Sequence, residues 1–297
     1  MNILVLGGTY FIGRALVELL MLNKYSISLL NRGSRKTANS GVLSITADRH
    51  VYSELENGLR GKSFDVVIDL SGYNRNDVSL ILDCLKGRIG QYIFCSSIAV
   101  CSKPPAYWPI TEGHEKCSSF GESEYGYNKW LAEECLFQQS QKNSLAVSIV
   151  RPVYVYGPYD YSKRLDYFFS RILDGLPVVL AGNGENIVQF GYVYDLCRAI
   201  IALIGNKSAY GQAFNISGRE LVTTKQFVTL VSQAIGRDVD LRFIADDSTQ
   251  TDERSTLTSK HRFADISKAE LLIGIVPNVS LTEGIKTTAQ WYVNHRR

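Results

Sequence analysis

The sequence predicts an α/β fold, a doubly wound parallel sheet with a smaller C-terminal lobe. Short apolar runs recur through the first half of the chain, each followed by a segment with helical spacing. The runs are near-continuously apolar, as strands buried on both faces must be. The first run, Ile3 to Leu6, breaks at Gly7-Gly8 and leads through Thr9-Tyr10-Phe11-Ile12-Gly13 into an amphipathic stretch, Arg14 to Leu22. A strand, a tight turn and a helix in that order open a Rossmann-type sheet.

The elements follow in order. Ser26 to Leu30 reads as the second strand, Val42 to Thr46 as the third and Asp65 to Leu70 as a continuous apolar fourth. From Asn76 to Leu85 the spacing is helical, with Val78, Ile81, Leu82 and Leu85 on one face. Gln91 to Cys95 is the fifth strand, Ser123 to Gln139 a long helix and Ala146 to Val150 the sixth strand. Beyond Pro158 the pattern loosens. A helix from Leu165 to Leu173, a short strand from Val178 to Leu180 and the Gly182-Asn183-Gly184 turn look like an inserted cap, while Val193 to Ile204 and Ala213 to Ile216 return to the sheet. The expected organisation is a dinucleotide-binding domain over 1–158 with about 188–220, and a substrate-binding lobe over about 159–187 and 221–297.

Composition sets the class. A chain of 297 residues and 33.2 kDa holds one large α/β domain, or one with a smaller lobe. A net charge of +3 without a long basic run disfavours nucleic acid as a partner. The six cysteines form no C-x-x-C pair and several lie in apolar segments, as expected of reduced thiols in a cytoplasmic protein. No apolar stretch approaches 18 residues and no leader pattern opens the chain, so no membrane span is expected. Four scattered histidines argue against a metal site.

The chemistry begins at the first turn. Its free N–H groups and the positive end of the helix converge on one spot, which suits a pyrophosphate. Gly7, Thr9, Tyr10, Phe11, Ile12 and Gly13 are the residues expected to line it, with Tyr10 where a G-x-x-G-x-x-G turn would carry its middle glycine. The end of the second strand should meet the adenosine ribose. There the chain has Asn31 and Arg32, then Arg35 and Lys36, and no acid, so the cofactor is NAD or NADP with a lean toward NADP. Asp48, closing the third strand, is either an acceptor for the adenine amino group or a helix cap. Leu70, Ser71 and Gly72 end the fourth strand beside the cofactor's path.

Tyr125 and Lys129 stand four apart, hence on one face of the long helix. A neighbouring ammonium favours phenolate, which makes Tyr125 a candidate general acid/base. Spacing alone says little, because Tyr159 and Lys163 repeat it. Tyr159 follows Gly157-Pro158 in a loop, whereas Tyr125 lies between the fifth and sixth strands, downstream of the pair Ser96-Ser97.

Taken together, GGTYFIG, Ser97, Tyr125-x-x-x-Lys129, RPVYVYGP (151–158), the stretch 181–200, FNISG (214–218) and FADISKAELLIG (263–274) resemble the extended short-chain dehydrogenase/reductase superfamily, in its NAD-dependent epimerase/dehydratase branch. The resemblance spans essentially the whole chain. It implies Ser97, Tyr125 and Lys129 as the catalytic triad and a nicotinamide packed near Pro152 and Val153. It further implies a cleft for the substrate, most commonly a nucleotide sugar, and a homodimer built from the helices 76–85 and 123–139. Tyr156, Gln189 and Arg254 are the further substrate candidates. A GGT-x-FIG turn, the Phe64–Gly72 segment and YFFSRI followed by FNISG resemble most the sub-branch of the chloroplast stem-loop-binding proteins and their bacterial relatives.

Three departures bear on activity. Ser97-Ile98-Ala99 stands where sugar 4,6-dehydratases carry a Thr-Asp-Glu run, so dehydration is disfavoured. Val188 beside Gln189 occupies the place where many epimerases have a diphosphate-gripping arginine, for which Arg254 and Arg262 are the available substitutes. Tyr10 crowds the first turn. The function expected is a nicotinamide-dependent oxidoreductase or epimerase acting on a hexose unit. An NADPH-dependent 4-keto-sugar reductase is the alternative within enzymes, and an RNA-binding protein on the same scaffold the alternative of another class.

Overall fold

The computed structural model describes residues 1–33, 41–101, 105–160, 165–245 and 260–296. Arg35, Lys36, Lys163 and Arg254 lie outside them. Two compact units are formed: Met1–Pro152 with Leu196–Ile216 and Asp265–Val276, and Val153–Asp195 with Ser217–Ala264 and Pro277–Arg297.

The first unit is built on β1 (Asn2–Leu6), β2 (Ser26–Asn31), β3 (Leu43–Thr46), β4 (Phe64–Asp69), β5 (Ile89–Cys95), β6 (Ala146–Pro152) and β10 (Gln212–Ile216). These make one seven-stranded sheet in the order β10-β6-β5-β4-β1-β2-β3, every pairing parallel. Such a sheet needs both faces covered, which explains the unbroken apolar strands. On one side Leu4, Leu6, Val67 and Phe94 pack with Leu55 and Leu59 of α2 (Tyr52–Leu59), Val78 and Ile81 of α3 (Arg75–Cys84), and Ala132 and Leu136 of α4 (Glu124–Asn143). Intervening residues such as Ile3, Val5, Ile68 and Ile93 point the other way and are as fully buried. Val5 and Leu29 there meet Val17 of α1 (Phe11–Leu22) around Gly8.

Register sets the position of the site. Leu6 lies opposite Leu30 on one side and Asp69 on the other, and Asp69 lies opposite Phe94. The residues that leave the sheet after β1, β2, β4 and β5 therefore emerge in one row. The chain runs from β1 outward through β2 and β3, then resumes with β4 on the far side of β1. That reversal opens a crevice at the carboxyl ends, where ligands bind in folds of this kind.

The second unit holds β7 (Tyr154–Tyr156), β9 (Ile187–Tyr192) and β11 (Leu221–Thr223) in one small sheet, and β8 (Val178–Ala181) with β12 (Leu241–Ile244) in another. Around them lie α5 (Asp166–Leu173), α7 (Thr224–Ile235) and α9 (Leu281–His295). Phe168, Phe190 and Phe227 form its aromatic centre, Phe190 stacked on Phe227 at 4.2 Å.

Several boundaries differ from expectation. Residues 153–158 and 188–195 fall in the second unit, because β9 pairs with β7 and β11 and not with the large sheet. Residues 265–276 join the first, because α8 (Ser267–Ile273) packs by β10 and the Lys268 ammonium donates to the Ala213 carbonyl at 2.9 Å. The segment expected to return at Val193 does so as a helix, α6 (Val193–Ala202). Helix α2 went unread in the sequence because only Leu55 and Leu59 of its eight residues are buried. Among the described residues no helix is long and apolar enough to cross a membrane.

Candidate active site

The turn after β1 is fixed by close approach. Gly7 has a φ of +84°, open to glycine at little strain, and a Cβ on Gly13 would sit 2.0 Å from the Gly7 carbonyl oxygen. Helix α1 therefore starts directly against the end of β1. Its N-cap residue, Tyr10, is extended (φ −137°, ψ 139°), a conformation that needs no glycine. The missing middle glycine is thus absorbed by ordinary backbone geometry. The helix start has no side-chain cap and no acid in its first turn, leaving the N-terminal dipole uncompensated by carboxylate. Thr9 is half-buried and Phe11 carries a φ of +38°.

At the end of β2 the Asn31 carboxamide oxygen accepts from the Gly33 N–H at 2.8 Å, while its buried Nδ2 meets no partner. Arg32 is exposed. Asp48 accepts from the His50 N–H at 2.9 Å, and its own N–H donates to Glu54 at 2.7 Å. It does not cap α2, whose N-cap is Val51.

Beneath the row lies a polar cluster that the sequence reading missed. Arg49 pairs with Asp69 through two hydrogen bonds of 2.8 and 2.9 Å, and also donates to Ser71 Oγ and to the Asp77 carbonyl. Asp69, fully buried, further accepts from the N–H groups of Ser71 and Gly72 and from the Tyr92 hydroxyl. Burial opposes the charge on Asp69, yet the Arg49 guanidinium and these hydrogen bonds hold its carboxyl below the usual range. The Ser71-Gly72 turn is thereby clamped from below. An acid, Asp69, directly after the apolar run Val66–Ile68 was the available signal.

After β5, Ser97 caps a single 3₁₀ turn, Ile98–Val100, and its Oγ accepts from the Ala99 N–H at 3.2 Å. The Oγ of neighbouring Ser96 is buried and meets no partner. Helix α4 begins on this turn. Ser123 caps it by accepting from the Gly126 N–H, and a Cβ on Gly126 would lie 2.0 Å from the Ala99 carbonyl oxygen. Only glycine lets the helix come so close, and that approach sets the first turn of α4 against Ala99.

Tyr125 is 44% exposed and Lys129 only 3%. The Lys129 ammonium donates to the carbonyls of Gly72 at 2.6 Å and Cys95 at 2.8 Å, joining α4 to the ends of β4 and β5. It lies 6.0 Å from the Tyr125 ring centroid. Burial lowers its pKa, against the neighbouring Cys95 and Asp69. The Cys95 thiol is itself pushed up to about 11 by burial. The first unit thus brings together the turn 7–13, Asn31, Asp48, Leu70 to Gly72, Ser97, Tyr125 and Lys129. Pro152 closes β6 opposite Ile216, and Val153 opens the second unit.

Two substrate candidates are corrected. Tyr156 is 2% exposed, with its hydroxyl against α9 at Gly284 and its ring against Phe190 and Tyr192. It is part of the core of the second unit. Gln189 spends both ends of its carboxamide on backbone, donating to the Gly218 carbonyl and accepting from the Ala264 N–H. It braces three chain segments. Arg262 lies beside Val188 through a backbone bridge. Tyr159 packs on Trp291 in the second unit. Among the described residues no cluster of metal-ligating side chains occurs.

The same fold recurs in known proteins. The chain is 30% identical over 302 residues to the chloroplast stem-loop binding protein of 41 kDa b from Arabidopsis thaliana, covering 96% of this chain and 77% of that one. UDP-glucose 4-epimerase from Thermotoga maritima, solved with UDP-glucose, superposes with a TM-score of 0.86 at 23% identity over the whole of both chains. dTDP-glucose 4,6-dehydratase from Bacillus anthracis, solved with NAD, gives 0.83 at 21% identity, covering 99% of this chain and 97% of that one. At these identities the two structures share the fold. The profile described as "NAD dependent epimerase/dehydratase family" matches residues 3–217, well over half of the chain. Because that match covers so much of the chain, the chain belongs to the NAD-dependent epimerase/dehydratase family.

Proposed function

We propose that this protein is an NAD-dependent enzyme that oxidises and re-reduces the sugar ring of a nucleotide sugar, with Tyr125 as the proton-transfer group. The observation that carries this reading is the buried Lys129 ammonium within 6.0 Å of the half-exposed Tyr125 ring, at the carboxyl edge of a parallel sheet.

The residues present fit a dinucleotide. The uncapped start of α1 suits the pyrophosphate, and the unpartnered Asn31 Nδ2 is a donor for a ribose hydroxyl. When bound, the nicotinamide supplies hydride transfer. Lys129 favours the phenolate of Tyr125, which takes the proton of a sugar hydroxyl and returns it. The Ser97 hydroxyl, whose oxygen already accepts from Ala99, keeps its proton to donate to the sugar oxygen. Ile98 is buried and apolar where dehydration needs an acid, which favours epimerisation or reduction.

The family description and the NAD bound by the dehydratase neighbour lend the lean toward NADP no support, and we take NAD as the cofactor. The reductase reading draws on Arg32 and on relatives at 23–24% identity that carry the name dTDP-4-dehydro-6-deoxy-D-allose reductase. RNA binding rests on the name of the Arabidopsis relative, and a net charge of +3 gives it little electrostatic support. A homodimer through α3 and α4 belongs to the same proposal, and sedimentation equilibrium checks it. The central test is Tyr125→Phe, assayed with UDP-glucose and dTDP-glucose. NAD binding should persist while turnover falls at least a hundredfold; undiminished turnover removes Tyr125 from the mechanism.

A further inference from the structure

The Lys129 ammonium is unusual in its company. It is buried, yet among the described residues none of the ion pairs includes it. Two of its three N–H bonds are spent on the carbonyls of Gly72 and Cys95. Three rings lie close to it: the Phe94 ring centroid at 4.7 Å, Tyr73 at 5.2 Å and Tyr125 at 6.0 Å. Phe94 belongs to the core, whereas Tyr73 is 58% exposed. Its place is nevertheless fixed. The Tyr73 N–H donates to Asp77 Oδ2 at 2.7 Å, Asp77 is fully buried, and Arg49 holds the Asp77 carbonyl. The ring meets Tyr125 edge-on at 6.1 Å and 61°.

We infer that Tyr73 is a positioning residue for Lys129: its ring, with that of Phe94, takes the place of a carboxylate counter-ion. A ring quadrupole attracts an ammonium but carries no net charge. A carboxylate in the same place would cancel much of the field that Lys129 exerts on Tyr125, whereas a ring holds the cation protonated and leaves that field intact. This rests on the reading of Tyr125 as the proton-transfer group. Besides Tyr73 and Tyr125, the charged and titratable groups that face Lys129 are Arg49 before α2, Asp69 of β4, already paired with Arg49, Cys95 of β5, and Glu133 of α4, already paired with Arg151. Tyr73 replacements leave all of them in place.

The test is ¹³C NMR of the full-length protein labelled at lysine Cε, with the Lys129 resonance assigned by its loss in Lys129→Arg. Tyr73→Phe should titrate with the wild type. Tyr73→Leu, which keeps bulk and loses the ring, should lower the Lys129 midpoint by about half to one pH unit, as loss of a desolvated cation–π contact requires. A Lys129 midpoint in Tyr73→Leu that is unmoved or raised overturns the inference. So does an equal fall in Tyr73→Phe, which would assign the effect to the hydroxyl. Turnover is read separately. A lowered midpoint in a protein that turns over no nucleotide sugar keeps the role of Tyr73 and sinks the proposed reaction; turnover with an unmoved midpoint does the reverse.

Discussion

Replacing Asp69 by asparagine tests whether the clamp under the Ser71-Gly72 turn is as tightly coupled as its geometry indicates. The carboxylate accepts five hydrogen bonds: two from Arg49 and one each from Ser71, Gly72 and Tyr92. Asparagine keeps the shape and some of these bonds but leaves the Arg49 guanidinium buried without an anion. Breaking a buried pair from one side costs about 3–5 kcal/mol, a large share of an ordinary stability of about 5–15 kcal/mol. At roughly 2–4 °C per kcal/mol for a chain of this size the melting temperature should fall by about 6–20 °C. The assay is urea unfolding for the free energy and a thermal melt for the temperature, both followed by circular dichroism at pH 7. Asp69→Asn, Arg49→Met and the double variant complete a cycle. Because the double variant buries no lone charge, its loss should fall short of the sum of the singles by at least about 1 kcal/mol. A single-variant loss below about 1 kcal/mol, or strict additivity, would refute the argument.

The same pair sets an acid limb. Since the Asp69 carboxyl is held below its ordinary value, its contribution is complete above the unfolded value near pH 4 and is lost as pH falls through the folded one, so an acid titration of stability should flatten in Asp69→Asn. Gly126→Ala puts a methyl 2.0 Å from the Ala99 carbonyl oxygen; stability should fall by about 1–3 kcal/mol and turnover at least tenfold, with NAD affinity by calorimetry little changed. Arg32→Ala should leave NAD affinity within twofold, and a tenfold or greater fall in NADH binding would tie Arg32 to the cofactor we assign. A selective loss of NADPH binding would instead favour the reductase.

The sheet was legible because burial on both faces writes itself into sequence as unbroken apolar runs, and the first turn because Gly7 and Gly13 answer to backbone contacts. Tyr125 and Lys129 stood out only through their neighbours in sequence, since Tyr159 repeats the spacing and packs elsewhere. The small strands β7, β9 and β11 were not, for they are short and their partners lie far apart in sequence. Gln189 and Tyr156 misled for a related reason: a polar residue within a motif looks available until the backbone groups that consume it are known. Arg49 and Asp69 sit 20 residues apart and meet only once β3 and β4 flank the strands between them.

The order in which the chain visits its two units has a consequence for synthesis. The first unit is written in three instalments, the last of them residues 265–276, which lie beyond most of the sequence of the second. That instalment supplies the Lys268 ammonium of α8 to the Ala213 carbonyl, and the Asp265 N–H just before α8 to the carbonyl of Ile110. A nascent chain therefore cannot complete the surroundings of β10, the outer strand of the large sheet, until nearly all of it has left the ribosome. Contacts so distant in sequence slow folding. A gene cut after residue 217, where the family profile stops, should yield an incomplete protein that chaperones retain.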